Sequence, residues 1–311
     1  MNDAWEKSTL EKVLLETIKE QRRSRRWRVF FRLVWLVIIG IILFYVFNGK
    51  SKLSAETGKH VAVINLNGVI CDENKTYEAI VDGVTDALKD KDTLGVIIRA
   101  NSPGGSPVYS NMIYNEILRL RKLYPKKPVD VVIEEVCASG CYYIAAAADK
   151  IYANPSSIVG SIGVIYTGFG LNSLMDKIGV DSRLIISGRN KAMGYPFIPQ
   201  NPEQNSMQQQ MLDKVHMQFI NAVKDGRKGK LSNDPDLFSG RYWIGEDAKP
   251  LGLVDDFASV DSLARDQFKT DNLIDYTPDS DAIDRIAKKL GVGLVDSAKQ
   301  ELKLSQFGKF N

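Results

Sequence analysis

Ser139 stands in a turn of small residues, Glu134-Glu135-Val136-Cys137-Ala138-Ser139-Gly140-Cys141-Tyr142-Tyr143, where a serine could act as a nucleophile. The turn leaves a mostly apolar run, Val129 to Ile133 with only Asp130 polar, that reads as a buried strand. It enters Tyr142-Tyr143-Ile144-Ala145-Ala146-Ala147-Ala148, a strong helix former. At a strand-to-helix turn the serine side chain projects, while the next backbone N–H points free at the helix N-terminus, a site for a developing negative charge. Taken alone, Ser139 is most simply an N-cap. A chemical role requires a base and further oxyanion donors elsewhere in the chain.

The only histidines are His60 and His216. His60 precedes the first strand, and His216 lies near Leu212 and Ile220 on a long amphipathic helix, where packing is the simpler role. A Ser-His-Asp triad therefore has few parts available. Lysine is the remaining base type, provided that desolvation lowers its pKa toward neutrality. Lys191, in Ser187-Gly188-Arg189-Asn190-Lys191-Ala192, follows an apolar strand and precedes an apolar-aromatic loop; by itself it reads as a solvated surface lysine. Asn101-Ser102-Pro103-Gly104-Gly105-Ser106 combines a fixed proline φ with paired glycines, so its backbone can present N–H groups. No Gly-Lys-Ser/Thr follows, which excludes a phosphate loop, and a plain turn explains the segment equally well.

The elements that must position these residues alternate strand and helix. Val61–Leu66 reads as a strand, Tyr77–Leu88 as a helix, Leu94–Arg99 as a strand and Val108–Leu123 as a helix, before the strand that feeds Ser139. Such βα alternation predicts an α/β fold with a parallel sheet. Shorter pieces at Lys150–Ala153, Ser161–Tyr166 and Arg183–Ser187 follow, the last as a strand. A long helix from about Glu203 to Val223 carries Met207, Met211, Val215 and Phe219 along one side. No linker divides residues 57–311.

Residues 1–52 hold 11 Lys/Arg against 5 Asp/Glu, leaving 30 basic and 33 acidic residues in the near-neutral remainder, without the basic surface of a nucleic-acid binder. Residues 1–26 read as a cytosolic tail ending in Arg22-Arg23-Ser24-Arg25-Arg26, and 27–48 as a transmembrane helix whose apolar run, Val29 to Phe47, is interrupted only by Arg32. About 19 residues at ~1.5 Å rise nearly cross a ~30 Å hydrocarbon layer. The arginine excess before it keeps the N-terminus inside, so everything beyond the linker 49–59 is expected outside the inner membrane of a bacterium. A cleaved secretory signal fits less well, because the charged segment is long and no small-x-small site closes the apolar run. Cys71, Cys137 and Cys141 are odd in number and lack metal spacing, so neither a disulfide framework nor a zinc site is expected. Cys137 and Cys141 read as small packing residues.

Five motifs carry a resemblance: Ser-Pro-Gly-Gly at 102–105, Ala-Ser-Gly-x-Tyr-Tyr at 138–143, Gly-Ser-Ile-Gly-Val-Ile at 160–165, Ser-Gly-x-x-Lys at 187–191, and Gly-Arg-x-x-x-Gly-Glu-x-Ala-x-x-Leu-Gly-Leu-Val-Asp at 240–255. In order and spacing, over about residues 60–260, they resemble the signal peptide peptidase A family. The resemblance implies a membrane-anchored serine peptidase with a ClpP/crotonase-like α/β domain at 60–270; the C-terminal extension 271–311, packed on that domain or partly mobile, falls outside the resemblance. It implies Ser139 as nucleophile, Lys191 as general base, Ser161 as a supporting hydroxyl, and Gly104 or Gly105 with Gly140 as the oxyanion hole. It further implies no cofactor or metal, residual signal peptides as substrates, and homo-oligomers whose sites join Ser and Lys from neighbouring subunits. One departure stands at Cys141, where the family usually has glycine. A catalytically dead scaffold of the same fold and a crotonase-type acyl-transfer enzyme are the alternatives. The presence of both Ser139 and Lys191 speaks against the first, and the expected outside location against the second.

Overall fold

The structure is a computed structural model, and it describes residues 25–40 and 58–278. These fall in two units. Residues 25–40 form a helix, α1, whose residues are all exposed, with Trp27, Phe30 and Phe31 in mutual ring contact. Among the described residues no helix is long and apolar enough to cross a membrane. Residues 41–48 of the expected span, the tail 1–24 and the extension beyond 278 lie outside the described residues.

The larger unit runs β1 (His60–Asn67), α2 (Thr76–Lys89), β2 (Thr93–Ser102), α3 (Pro107–Leu123), β3 (Val129–Ala138), α4 (Gly140–Ala145), β4 (Ile151–Ala153), β5 (Ile158–Gly160), α5 (Asn172–Ile178), α6 (Pro202–Gly226), β6 (Tyr242–Ile244), α7 (Gly245–Ala248), β7 (Asp256–Phe257), α8 (Val260–Phe268) and β8 (Leu273–Asp275). One eight-stranded sheet has the order β6-β5-β3-β2-β1-β8, with β4 joining β3 and β7. Every pairing is parallel except β5 with β6. This mixed α/β architecture fits the expected ClpP-type fold.

The central strands are apolar on both faces because both faces are covered. Ala62, Ile64 and Leu66 of β1 pack with α2 and α3 in the main core. Val61 and Val63, on the opposite side, meet Val260, Leu263 and Ala264 of α8. Helix α2 buries Ile80, Gly83, Val84, Ala87 and Leu88, a stripe of helical period. Helix α3 starts with Pro107 at its first position, behind Ser106, whose hydroxyl accepts from Tyr109 N–H. The sheet continues past Thr270, since β8 pairs with β1 and Tyr276 is buried with its hydroxyl donating to Asp90.

Strand β3 changes partner along its length. Val131 and Val132 pair with β4, whereas Val136 to Ala138 pair with β5. Glu134 and Glu135 sit exposed at the fork between them. The fork matters because it brings the end of β3 beside the end of β5.

The segment 161–201 departs from expectation. Ser161–Tyr166 and Arg183–Ser187 are not strands, and only α5, which buries no residue, interrupts irregular chain. Ile165 and Phe169 are each 85% exposed and Ile185 is 97% exposed. Ile162 is buried in the main core, but Ile165, Phe169 and Ile185 stand on an outer surface of the single chain, with no sheet edge to pair them. Met211 on α6 is likewise exposed, and the helix buries side chains only from Phe219 onward.

Two buried ionic groups bear on stability. Arg227, 1% exposed, donates to Asp255 Oδ2 at 2.5 Å and to Gly252 O, and Asp255 also accepts from Lys230 and from Ile151 N–H. Burial opposes ionisation of Asp255, but these hydrogen bonds hold its carboxyl below the ordinary carboxylate range. The aspartate closing the 240–255 motif thus ties the end of α6 to β4. Asp130 behaves oppositely: burial in β3 pushes its carboxyl up to about 6, although Gln267 and Lys150 N–H donate to it. A folded value above the unfolded ~3.9 means that the Asp130 contribution to stability is fullest below pH ~4 and is lost as pH rises through about 6. Between pH 4 and pH 7.5 the wild type is therefore expected to lose ~2–3 kcal/mol relative to Asp130→Asn, read from urea midpoints. Parallel curves for the two proteins would contradict this.

Candidate active site

Ser139 joins β3 to α4 in a conformation that side chains rarely adopt, φ 53° and ψ −123°. Such a backbone costs of order 1–3 kcal/mol and persists only where its surroundings over-determine it. Here its N–H donates to Gly160 O at 2.8 Å and its carbonyl accepts from Tyr143 N–H at 3.0 Å. Its side chain does not cap α4, so the N-cap reading fails. Among the described residues Ser139 Oγ makes no hydrogen bond and faces a cavity of about 650 Å³.

Gly140 opens α4, and helix geometry leaves its N–H without an intrahelical acceptor. A Cβ on Gly140 would run into Ser110 Oγ and lie 3.3 Å from Gly105 N, which puts the two backbone nitrogens close together. Gly104 (φ 101°) lies against the turn itself: a Cβ there would be 2.7 Å from Ala138 O and 2.8 Å from Ser139 Cβ. The two loop glycines differ in their N–H groups. Gly104 N–H donates to Ser102 Oγ at 3.1 Å, whereas Gly105 N–H has no partner among the described residues. The Gly104 carbonyl and Ser106 N–H clamp Ile70 from either side of Gly105. Among the described residues the unpartnered donors beside Ser139 are therefore those of Gly105 and Gly140.

Ser161 reaches the site through register. Ala138 pairs with Gly160, so Ser139 and Ser161 leave adjacent strands at the same level. Both have positive φ, and both line the cavity. His216 lines it too, its Nε2 3.0 Å from Ile162 O, an arrangement that places the ring proton on Nε2. The sequence pattern gave it only a packing role, because nothing in a helical stripe signals which cavity its face closes. The apolar wall comes from Tyr143, Val164, Ile165, Val215 and Phe219, with the Tyr143 and Phe219 rings stacked at 4.8 Å.

Lys191 stands apart. It is exposed in a turn closed by its own N–H to Gly188 O, does not line the Ser139 cavity, and its ammonium has no partner among the described residues. Within one chain the structure brings together Ser139, Gly105, Gly140 and Ser161, but not Lys191.

The cysteines correct the sequence reading. Cys137 and Cys141 are both fully buried, and they form a disulfide with Cα atoms 5.1 Å apart; Cys71 is free. The sharp turn at Ser139 brings strand and helix close enough for the bond. Spacing alone carried no sign of that turn.

A protein-family model described as peptidase family S49 matches residues 121–273, which include Ser139, Ser161 and Lys191. The chain is 31% identical over 255 residues to "Putative signal peptide peptidase SppA" of Enterococcus faecium, covering 76% of this chain and 74% of that protein. It is 33% identical over 221 residues to "Protease 4" of Salmonella typhi, covering 68% of this chain and 34% of that protein. A 46% identity over 179 residues relates it to "Na(+)/H(+) antiporter NhaA" of Brucella abortus (strain 2308), covering 58% of this chain and 24% of that protein. The chain thus spans about a quarter of the length of that Brucella relative, whose name belongs to the larger protein. It belongs to peptidase family S49, the signal peptide peptidase A family.

Proposed function

We propose that this chain is a membrane-anchored serine endopeptidase that cleaves residual signal peptides and other short apolar peptides at the outer face of a bacterial inner membrane. The observation that carries the reading is the strained Ser139 beside the unpartnered N–H groups of Gly105 and Gly140 in an apolar cavity. Ser139 Oγ attacks the peptide carbonyl, and the two N–H groups receive the oxyanion, an interaction worth about 2.7–4 kcal/mol of barrier per donor. Neutral Lys191 takes the serine proton and Ser161 orients the lysine. The wall of Tyr143, Ile165 and Phe219 favours apolar side chains.

Lys191 serves this chemistry from a neighbouring subunit in a homo-oligomer with shared sites. Its exposure, its absence from the cavity lining, and the uncovered Ile165, Phe169 and Ile185 on the same segment support that arrangement. A head-to-tail contact there supplies the desolvation that disfavours a charged ammonium. The outer location is supported by the arginine run before the apolar segment and by the Cys137–Cys141 disulfide, since such bonds persist in oxidising compartments. Peptidase activity of the full chain in detergent on short apolar peptides tests the reading. Cleavage by the wild type and none by folded Ser139→Ala is expected; equal cleavage by both would overturn it.

A further inference from the structure

We propose that the Cys137–Cys141 disulfide is a positioning element for the nucleophile, fixing Ser139 and the Gly140 N–H in the geometry that acylation requires; this rests on the peptidase reading above. The bond closes a small ring through Cys137, Ala138, Ser139, Gly140 and Cys141. That ring contains the attacking hydroxyl and one of the two oxyanion donors. Its two ends are held in different elements. Cys137 is in β3, paired with Ser102 on one side and Val159 on the other, whereas Cys141 is in the first turn of α4, and neither side chain is exposed.

Within the ring, Ser139 is the residue whose backbone needs outside restraint. Ser139 lies at φ 53°, ψ −123° and has no side-chain cap bond to hold it there. Two backbone hydrogen bonds, from its N–H to Gly160 and to its carbonyl from Tyr143, fix its edges. A strand–helix junction joined only by those bonds can relax toward an ordinary turn, which rotates the Ser139 side chain and the Gly140 N–H away from the cavity. The covalent tie between β3 and α4 opposes that relaxation. Cys141 thus takes up a mechanical task through its partner in the strand.

The bond acts on alignment and not on the cavity wall, so its loss is expected in turnover more than in substrate affinity. The test uses full-length chain with Cys137→Ala, Cys141→Ala and both together, beside wild type and Ser139→Ala. Thiol titration of the unfolded, unreduced wild type should find one thiol, Cys71, out of three cysteines. On an apolar peptide each single variant should lose about tenfold or more in kcat with KM within about twofold. The double variant should match the singles, because either change breaks the same bond. Rates are read well below the melting temperature of every variant, so that partial unfolding does not contribute. Three titratable thiols in the wild type overturn the proposal, as does a kcat within twofold of wild type in the variants, or a loss carried by KM. When Ser139→Ala is inactive, those results sink this inference alone. Activity in Ser139→Ala sinks the peptidase reading and the inference with it.

Discussion

Full-length chain carrying Ser139→Ala, and separately Lys191→Ala, is expected to lose peptide cleavage by a factor on the order of 10⁴ or more, with the double variant scarcely worse than either. Groups that act as one unit show such non-additive losses, because the second deletion removes nothing that still works. Mixing then separates the shared site from a site within one chain. In a ring assembled at random from equal amounts of the two variants, a complete site forms where an intact Ser139 meets an intact Lys191 in the correct order. That occurs at about a quarter of the interfaces. Recovery of about a quarter of wild-type activity is expected, with mixed assembly verified by two different affinity tags. Verified mixed rings that stay inactive would place each dyad within one chain, and substantial activity in folded Lys191→Ala would remove lysine as the base.

Gly226→Ala is expected to destabilise the domain by ~3 kcal/mol or more, although alanine is the better helix former. Gly226 is the last residue of α6, and a Cβ there would overlap the carbonyl of Ala146, at the end of α4. Helix propensity favours the change by about 0.8–1.0 kcal/mol. Overlap with a backbone carbonyl that has no room to move costs more, because α6 must retreat from α4. A shift of about 6–12 °C in melting temperature corresponds to ~3 kcal/mol for a domain of this size. Unchanged or raised stability would mean that the two helices separate without cost. Activity should fall in parallel, since α4 carries the Gly140 N–H and α6 carries Phe219 of the cavity wall.

The central sheet was legible because two physical periods dominate it. β1, β2 and β3 are apolar runs covered on both faces, and α2, α3 and α6 repeat apolar residues at helical spacing. Ser139 and the loop glycines were legible only as a set: each alone reads as an N-cap or a plain turn, and the five motifs together, in order and spacing, singled them out. Apolarity misled at Arg183–Ser187, where it marks uncovered surface and not strand, since sequence does not say whether a neighbour lies inside the chain or beyond it. The disulfide was hidden because four-residue spacing bridges only when the turn takes the sharp geometry found at Ser139. His216 was hidden by its helix: the stripe announces a buried face, but not that the face closes the cavity around Ser139. The choice between Gly104 and Gly105 needed the Ser102 hydroxyl, whose direction no motif records.

The uncovered segment around Ile165, Phe169 and Ile185 ties output to abundance under the shared-site arrangement. Where most chains stand alone, the number of neighbouring pairs grows as the square of the chain density, so halving the copy number leaves about a quarter of the complete sites. Under the proposed sharing, a lone chain is inert toward peptides until others collect nearby. Under that arrangement hydrolysis rises more steeply than expression level, about fourfold for each doubling, without any effector molecule.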